Sequence, residues 1–253
     1  MIRSDLTDDQ WARIEPFVRG GRRGKRGPRS DNRAFVNAII WMARSGARWS
    51  DLPERYGRVS TIKSRYYRWV EDGVLDTLLS ALASEADTEW VSVDSTTIKA
   101  HPQASGAPAQ KGGPAACGLG RSRGGLSSKL HVAADALGLP LRVIISPGHR
   151  GDVLFAGELI AGLRPDHVLA DRAYDANHFR LAIAYEGALA VIPSRPDRTK
   201  RLPCDFRLYR ERNLVERLIN RLKQFRRVAT RYDRFADTYR GFVLIAAICL
   251  WLA

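Results

Sequence analysis

Cysteine is scarce in this sequence. Cys117, Cys204 and Cys249 lie far apart, are odd in number and form no C-x-x-C pair. A disulfide framework is thereby excluded, and nothing suggests a zinc module. Long apolar runs are also lacking. The longest uncharged one, residues 242–253, falls short of the roughly 18 residues that a bilayer demands. The first residues, MIRSDLTDDQW, carry charge where a signal peptide needs an apolar stretch, so the expected location is the cytoplasm. Acid is the scarce charge, with 27 Asp and Glu against 41 Lys and Arg and a net charge of +14. Hydrophobic residues nevertheless make up 45% of the 253 positions and aromatics 9%. A chain of this kind buries a core, and its length suits one medium domain or a core domain with a smaller appendage.

The positive charge is concentrated in two places. Between residues 19 and 30 stand Arg19, Arg22, Arg23, Lys25, Arg26 and Arg29, with no acid among them. Residues 195–234 hold fourteen bases and only five acids, Asp197, Asp205, Glu211, Glu216 and Asp233. A solvated arginine-rich surface is the bland reading of either run. Two separated clusters that carry the whole excess point instead to a polyanion, either DNA or RNA.

The first ninety residues read as short helices. Thr7 caps a helix that reaches Phe17, with Asp8 and Asp9 in its first turn. The segment GGRRGKRGPRS has no apolar periodicity and reads as a basic arm, residues 19–30. Ser30 or Asp31 starts a second helix, stopped by Gly46, and residues 60–70 form a third that carries Lys63, Arg65 and Arg68. Helix, turn and basic aromatic helix is the outline of a helix-turn-helix module, although an ordinary small helical bundle has the same outline. The expected division is residues 1–87 as a helical, DNA-binding domain and residues 88–253 as a second domain with a flexible loop at 101–125.

From Glu89 the texture is that of strands. A short run ends at Asp94, residues 129–134 and 139–145 form a hairpin, and a second short run ends at Asp171. Helices at 152–163 and 176–186 alternate with strands, and a basic helix and an apolar one follow. The order β-β-β-α-β-α-β-α matches a ribonuclease H-like α/β fold, a mixed five-stranded sheet flanked by helices.

Asp94 and Asp171 thus each close a short apolar strand, where a carboxylate is partly desolvated and needs a cation or a capping role. If neighbouring, they suit Mg²⁺ or Mn²⁺. A third acid follows from helical geometry. At about 100° per residue, Tyr209, Arg212, Glu216, Asn220, Lys223 and Arg227 fall on one stripe roughly 80° wide, opposite Leu214, Leu218, Leu222 and Phe225. Glu216 is the single acid on that stripe. It is either a helix-surface partner of Arg212 or a member of an acidic centre.

The spacing Tyr209-x2-Arg212-x3-Glu216-x6-Lys223 resembles the Y-R-E-K signature of bacterial insertion-sequence transposases of the DDE class. VSVDSTTIKAH around Asp94, GRSRGGLSSKLHV and VLADRAYD around Asp171 agree with it, and the chain resembles the insertion-sequence-five family over essentially its whole length. One departure is Ala173, where relatives often have Gly.

The resemblance implies that Asp94, Asp171 and Glu216 are a catalytic triad holding two Mg²⁺ ions, with Mn²⁺ able to substitute. It implies hydrolysis at the ends of the element and attack of the freed 3′-hydroxyl on target DNA. It also implies a homodimer that bridges two terminal inverted repeats, in a nucleoid-associated bacterial protein with no membrane and no nucleotide cofactor. Tyr209, Arg212, Lys223 and Arg227 are then expected on the DNA. So are Arg22, Arg23, Lys25 and Arg26 of the arm and Lys63, Arg65 and Arg68 of the helix. Tyr209 either stacks on an unpaired base or supports Glu216. His149 and Asp152 are placed near the site, with a helix-capping role for Asp152 at least as well supported. A non-catalytic DNA-binding regulator and a ribonuclease H-like endonuclease without strand transfer are the alternatives.

Overall fold

The computed structural model describes residues 5–18, 31–105, 117–122 and 124–253. The basic arm at 19–30, with Arg22, Arg23, Lys25 and Arg26, lies outside the described residues, as do residues 106–116 of the long loop.

Local capping chemistry sets the first helices. In α1 (Asp8–Ile14) the Thr7 hydroxyl accepts from the Gln10 N–H at 3.2 Å, and the Gln10 side chain accepts from the Thr7 N–H at 3.1 Å. Two of the N–H groups left unpaired at a helix start are satisfied in this way. Asp31 caps α2 (Asn32–Ser45) at the Ala34 N–H, and Gly46, with φ 66°, ends it in the left-handed conformation. Helices α3 (Val59–Glu71) and α4 (Val74–Leu82) follow.

The sheet is built on β1 (Trp90–Ala100) and β3 (Gly125–Ala134), which run antiparallel with Asp94 opposite Val132. β4 (Pro140–Pro147) pairs with the outer edge of β3, and β2 (Gly120–Ser122) continues along that edge. On the other edge of β1, β5 (His167–Leu169) pairs in parallel and is followed by β6 (Leu189–Val191). The order β4-β3-β1-β5-β6 is the five-stranded ribonuclease H-like arrangement expected, enlarged to seven strands by β2 and by β7 (Thr230–Arg231).

Alternation along the strands divides the core into two layers. Val91, Val93, Ala133, Val168 and Ala170 face α5 (Val153–Ile160) and α6 (Asn177–Tyr185). Ile98, Leu130, Val132 and Ala134 face the other way, in one continuous core with α1–α4 and the C-terminal helices. At its centre is α10 (Ala236–Trp251), buried along most of its length. The helices of the first 82 residues therefore pack directly on the last helix of the chain.

Two expectations are corrected. β1 does not end at Asp94 but continues six residues further. What ends near Asp94 is the parallel pairing: β5 covers Trp90 to Ser92 and β7 covers only Lys99 and Ala100. The basic helix is also not continuous. It comprises α7 (Phe206–Tyr209), a 3₁₀ turn (Arg210–Arg212), α8 (Asn213–Lys223) and α9 (Arg226–Ala229), with Phe225 extended between the last two.

Candidate active site

The site forms where β1 loses its parallel neighbour. Ser92 pairs with Leu169 across β1 and β5. Advancing two residues along each brings Asp94 and Asp171 to adjacent positions on one face of the sheet. Asp171 has a local role as well, since its Oδ1 accepts from the Ala173 N–H at 2.8 Å and caps the turn Arg172–Tyr174. Helix α8 lies over the same face, with Val215, Leu218, Ile219 and Leu222 turned into the core. Its amphipathic pattern leaves Glu216 on the outward side.

Arg212 joins the acids. Its Nη1 donates to Asp94 Oδ2 at 3.2 Å, and its Nη2 donates to Glu216 Oε1. The exposures of the three side chains are unequal: 18% for Asp94, 16% for Arg212 and 51% for Glu216. Burial raises the pKa of the Asp94 carboxyl above its ordinary value. The Ser95 N–H and the Arg212 charge hold it down, while the Asp171 and Glu216 charges push it further up. Burial acts to lower the Arg212 pKa, but the bond to Glu216 and the charges of Glu216 and Asp94 outweigh it, and the value is raised. Tyr209 lies under Arg212, with its ring centroid 5.8 Å from the guanidinium carbon. Two turns beyond Glu216, Lys223 Nζ donates at 2.6 Å to the hydroxyl of Thr96, which shares the Asp94 face of β1.

Carboxylate oxygens such as these are hard donors that suit Mg²⁺ or Mn²⁺. Among the described residues, however, no three His, Cys, Asp or Glu side chains are grouped to hold an ion as they stand. Arg212 is the cation between two of the acids.

The remaining positions separate clearly. Lys63 is half-buried, 5.9 Å from the Tyr67 ring centroid, and Arg68 is exposed. Arg65 is not available at the surface. It is 8% exposed, with its guanidinium over the rings of Phe35 and Trp69 at 4.2 and 5.3 Å, because it falls on the inward stripe of Ile62, Tyr66 and Trp69. Arg227 also leaves the expected stripe, since the chain breaks before it. It is 5% exposed and donates to both carboxylate oxygens of Asp233. Asp152 makes no side-chain capping bond and instead pairs with Lys129 at 2.8 Å.

Two neighbours of the site have only a faint signal in the sequence. Tyr174 is buried with its hydroxyl near Ser95 and the charges of Asp94, Asp152 and Asp171, and burial pushes its pKa well up. Its position three residues after Asp171 was the available signal. Thr96 was marked by strand period, two residues from Asp94.

The chain is similar to known proteins along most of its length. Residues 6–79 match a family described as putative transposase of the IS4/5 family, and residues 85–252 match the transposase DDE domain. A putative transposase for insertion sequence element IS6501 from Brucella ovis is 43% identical over 129 residues, covering 50% of this chain and 99% of the relative. The uncharacterized protein y4sN of Sinorhizobium fredii is 60% identical over 108 residues, covering 43% of this chain and 86% of the relative. A putative transposase for insertion sequence element IS402 from Burkholderia cepacia is 34% identical over 135 residues, covering 49% of this chain and 61% of the relative. No solved structure matches. Since the transposase DDE domain alone spans most of the sequence and the sheet is ribonuclease H-like, the chain belongs to the DDE-type insertion-sequence transposases.

Proposed function

We propose that this transposase cuts the ends of its element by hydrolysis and joins the freed 3′-hydroxyls to target DNA, with Asp94, Asp171 and Glu216 as the catalytic acids. The observation that carries this reading is the Arg212 bridge between the remote acids Asp94 and Glu216, with the Asp171 charge acting on Asp94. The register Ser92–Leu169, extended by two residues, puts Asp94 and Asp171 side by side, and Glu216 is tied to Asp94 through Arg212.

The donor chemistry of these acids fits a divalent cation, and Asp94, Asp171 and Glu216 would hold it. Such an ion, when bound, supplies charge for the phosphodiester displacement and lowers the pKa of the attacking hydroxyl. The protein's own groups do the rest. Arg212 presents a planar fork to a phosphate, and Lys223, anchored on Thr96, presents a point charge beside it. Tyr209 steadies Arg212 through its ring. Water attacks phosphorus in the first step and releases a 3′-hydroxyl. In the second step that hydroxyl attacks a target phosphate and the target's own 3′-oxygen leaves. One phosphodiester is exchanged for another, so no nucleotide is consumed.

The basic surface that includes Lys63 and Arg68 supports duplex binding, and pairing of two ends calls for a dimer. No helix among the described residues is long and apolar enough to cross a membrane. The test is a strand-transfer assay on duplexes ending in the inverted repeats that flank the gene, with Mg²⁺ or Mn²⁺. Covalent joining to a second duplex supports the reading. Nicking without joining would mark a nuclease, and binding without nicking a regulator.

A further inference from the structure

We propose that Arg212 is an exchangeable counter-ion. It spans Asp94 and Glu216 while the protein is free of DNA and passes to a phosphate when DNA arrives, so that the acidic centre takes up its divalent cation together with DNA and not before. This rests on the reading of the three acids given above.

The geometry points this way because one guanidinium serves two acids that are 122 positions apart in the chain, one on β1 and one on α8. The bond to Glu216 is a helix-surface pair between residues four apart, and Glu216 remains 51% exposed. The bond to Asp94 is different, with both side chains less than one-fifth exposed. It draws the outward face of α8 onto the sheet and occupies acceptor oxygens that a metal would need. Arg212 neutralises one charge among Asp94, Glu216 and Asp171, whose charges act on one another, so the centre still attracts a cation but offers it an incomplete set of ligands.

Release must not strand a charge, because an uncompensated ion in a partly buried site is costly. A DNA phosphate solves this from both sides. It gives the guanidinium a bidentate anion of equal quality, and it frees the carboxylates for a divalent ion whose charge they then share. Lys223 does not compete for the acids, since its ammonium is anchored on the Thr96 hydroxyl. Arg212 is thus a positioning residue whose partner changes during the reaction.

The test measures Mn²⁺ binding to the full chain by calorimetry and by the electron paramagnetic resonance of free Mn²⁺, with and without a saturating terminal-repeat duplex. Wild type should bind Mn²⁺ weakly alone and about five- to tenfold more tightly with DNA, the factor expected for release of one charge-assisted bridge. Arg212→Gln should bind Mn²⁺ about five- to tenfold more tightly than wild type without DNA, with little further gain on adding DNA. Arg212→Lys should fall between them, because a single ammonium cannot span both acids. It also serves as the measurable variant if circular dichroism shows Arg212→Gln to be unfolded. The proposal is overturned if the Arg212 variants bind Mn²⁺ no more tightly than wild type without DNA, or if DNA leaves the wild-type affinity unchanged. Asp94→Asn separates the two levels of the account. If it abolishes Mn²⁺ binding while Arg212 variants behave as wild type, only the counter-ion role fails. If it leaves Mn²⁺ binding intact, the assignment of the acids fails with it.

Discussion

Lys223 on α8 reaches Thr96 on β1, Nζ to Oγ1 at 2.6 Å, so a cation of the helix is held on the same sheet face as Asp94. Removing it as Lys223→Gln should leave stability within about 0.5 kcal/mol, as for most changes outside a core. DNA affinity should fall, and the slope of log K against log salt should shrink by about one unit. Binding isotherms at four or five salt concentrations check this. An unchanged slope would place Lys223 away from the phosphates.

Arg227 behaves differently. Its guanidinium donates to the two oxygens of Asp233 at 3.2 and 2.9 Å, and both side chains are 6% exposed. Arg227→Ala leaves the Asp233 carboxylate buried and uncompensated, so urea unfolding should show a loss of about 3–5 kcal/mol. Arg68→Gln, on an exposed position of α3, should leave stability unchanged and weaken DNA binding.

These two arginines show what the sequence can reveal and what it cannot. Periodicity marked α2, α8 and the strands because burial on one side leaves a regular trace, and the strand order followed from their succession. It gave no sign that the basic helix breaks at Phe225, which turns Arg227 from the surface to the interior. The charge of Arg65 suggests a DNA contact. Its spacing from Ile62 and Trp69 already placed it on the inward stripe, where two aromatic rings receive a cation. The Arg212 bridge was out of reach of sequence, since it depends on how α8 is laid across β1.

Gly241 reports on the packing of the first helices against the last. A Cβ there would come within 2.5 Å of the Tyr66 hydroxyl and 2.7 Å of Val70 Cγ2. Tyr66 has little room to give way, because it is fully buried and its hydroxyl donates to the Thr238 carbonyl at 2.5 Å. Gly241→Ala should therefore cost about 1–3 kcal/mol through forced separation of α3 and α10. A thermal unfolding curve as steady as wild type would contradict this packing.

His131 makes stability depend on acid. It is fully buried, its Nε2 meets the Ser146 hydroxyl at 2.7 Å, and burial lowers its pKa from 6.5 to about 4, with Lys129 pushing down and Asp152 pulling up. Between those two values the unfolded chain takes a proton that the folded chain refuses. Stability should thus fall as pH drops through the window from 6.5 to about 4, by about 3 kcal/mol in total. His131→Gln keeps a partner for Ser146 and should flatten that part of the profile, as denaturant titrations at stepped pH would show.

In the proposed mechanism three acids from separate elements act as one catalytic centre. The most direct measurement is the cleavage rate of a labelled terminal-repeat duplex by Asp94→Asn, Asp171→Asn and Glu216→Gln, each shown by gel shift to bind DNA as wild type does. Loss of a ligand to a catalytic metal should slow cleavage by a factor on the order of a thousand or more in every variant. Cleavage at the wild-type rate by any one of them would remove that residue from the centre and contradict the account.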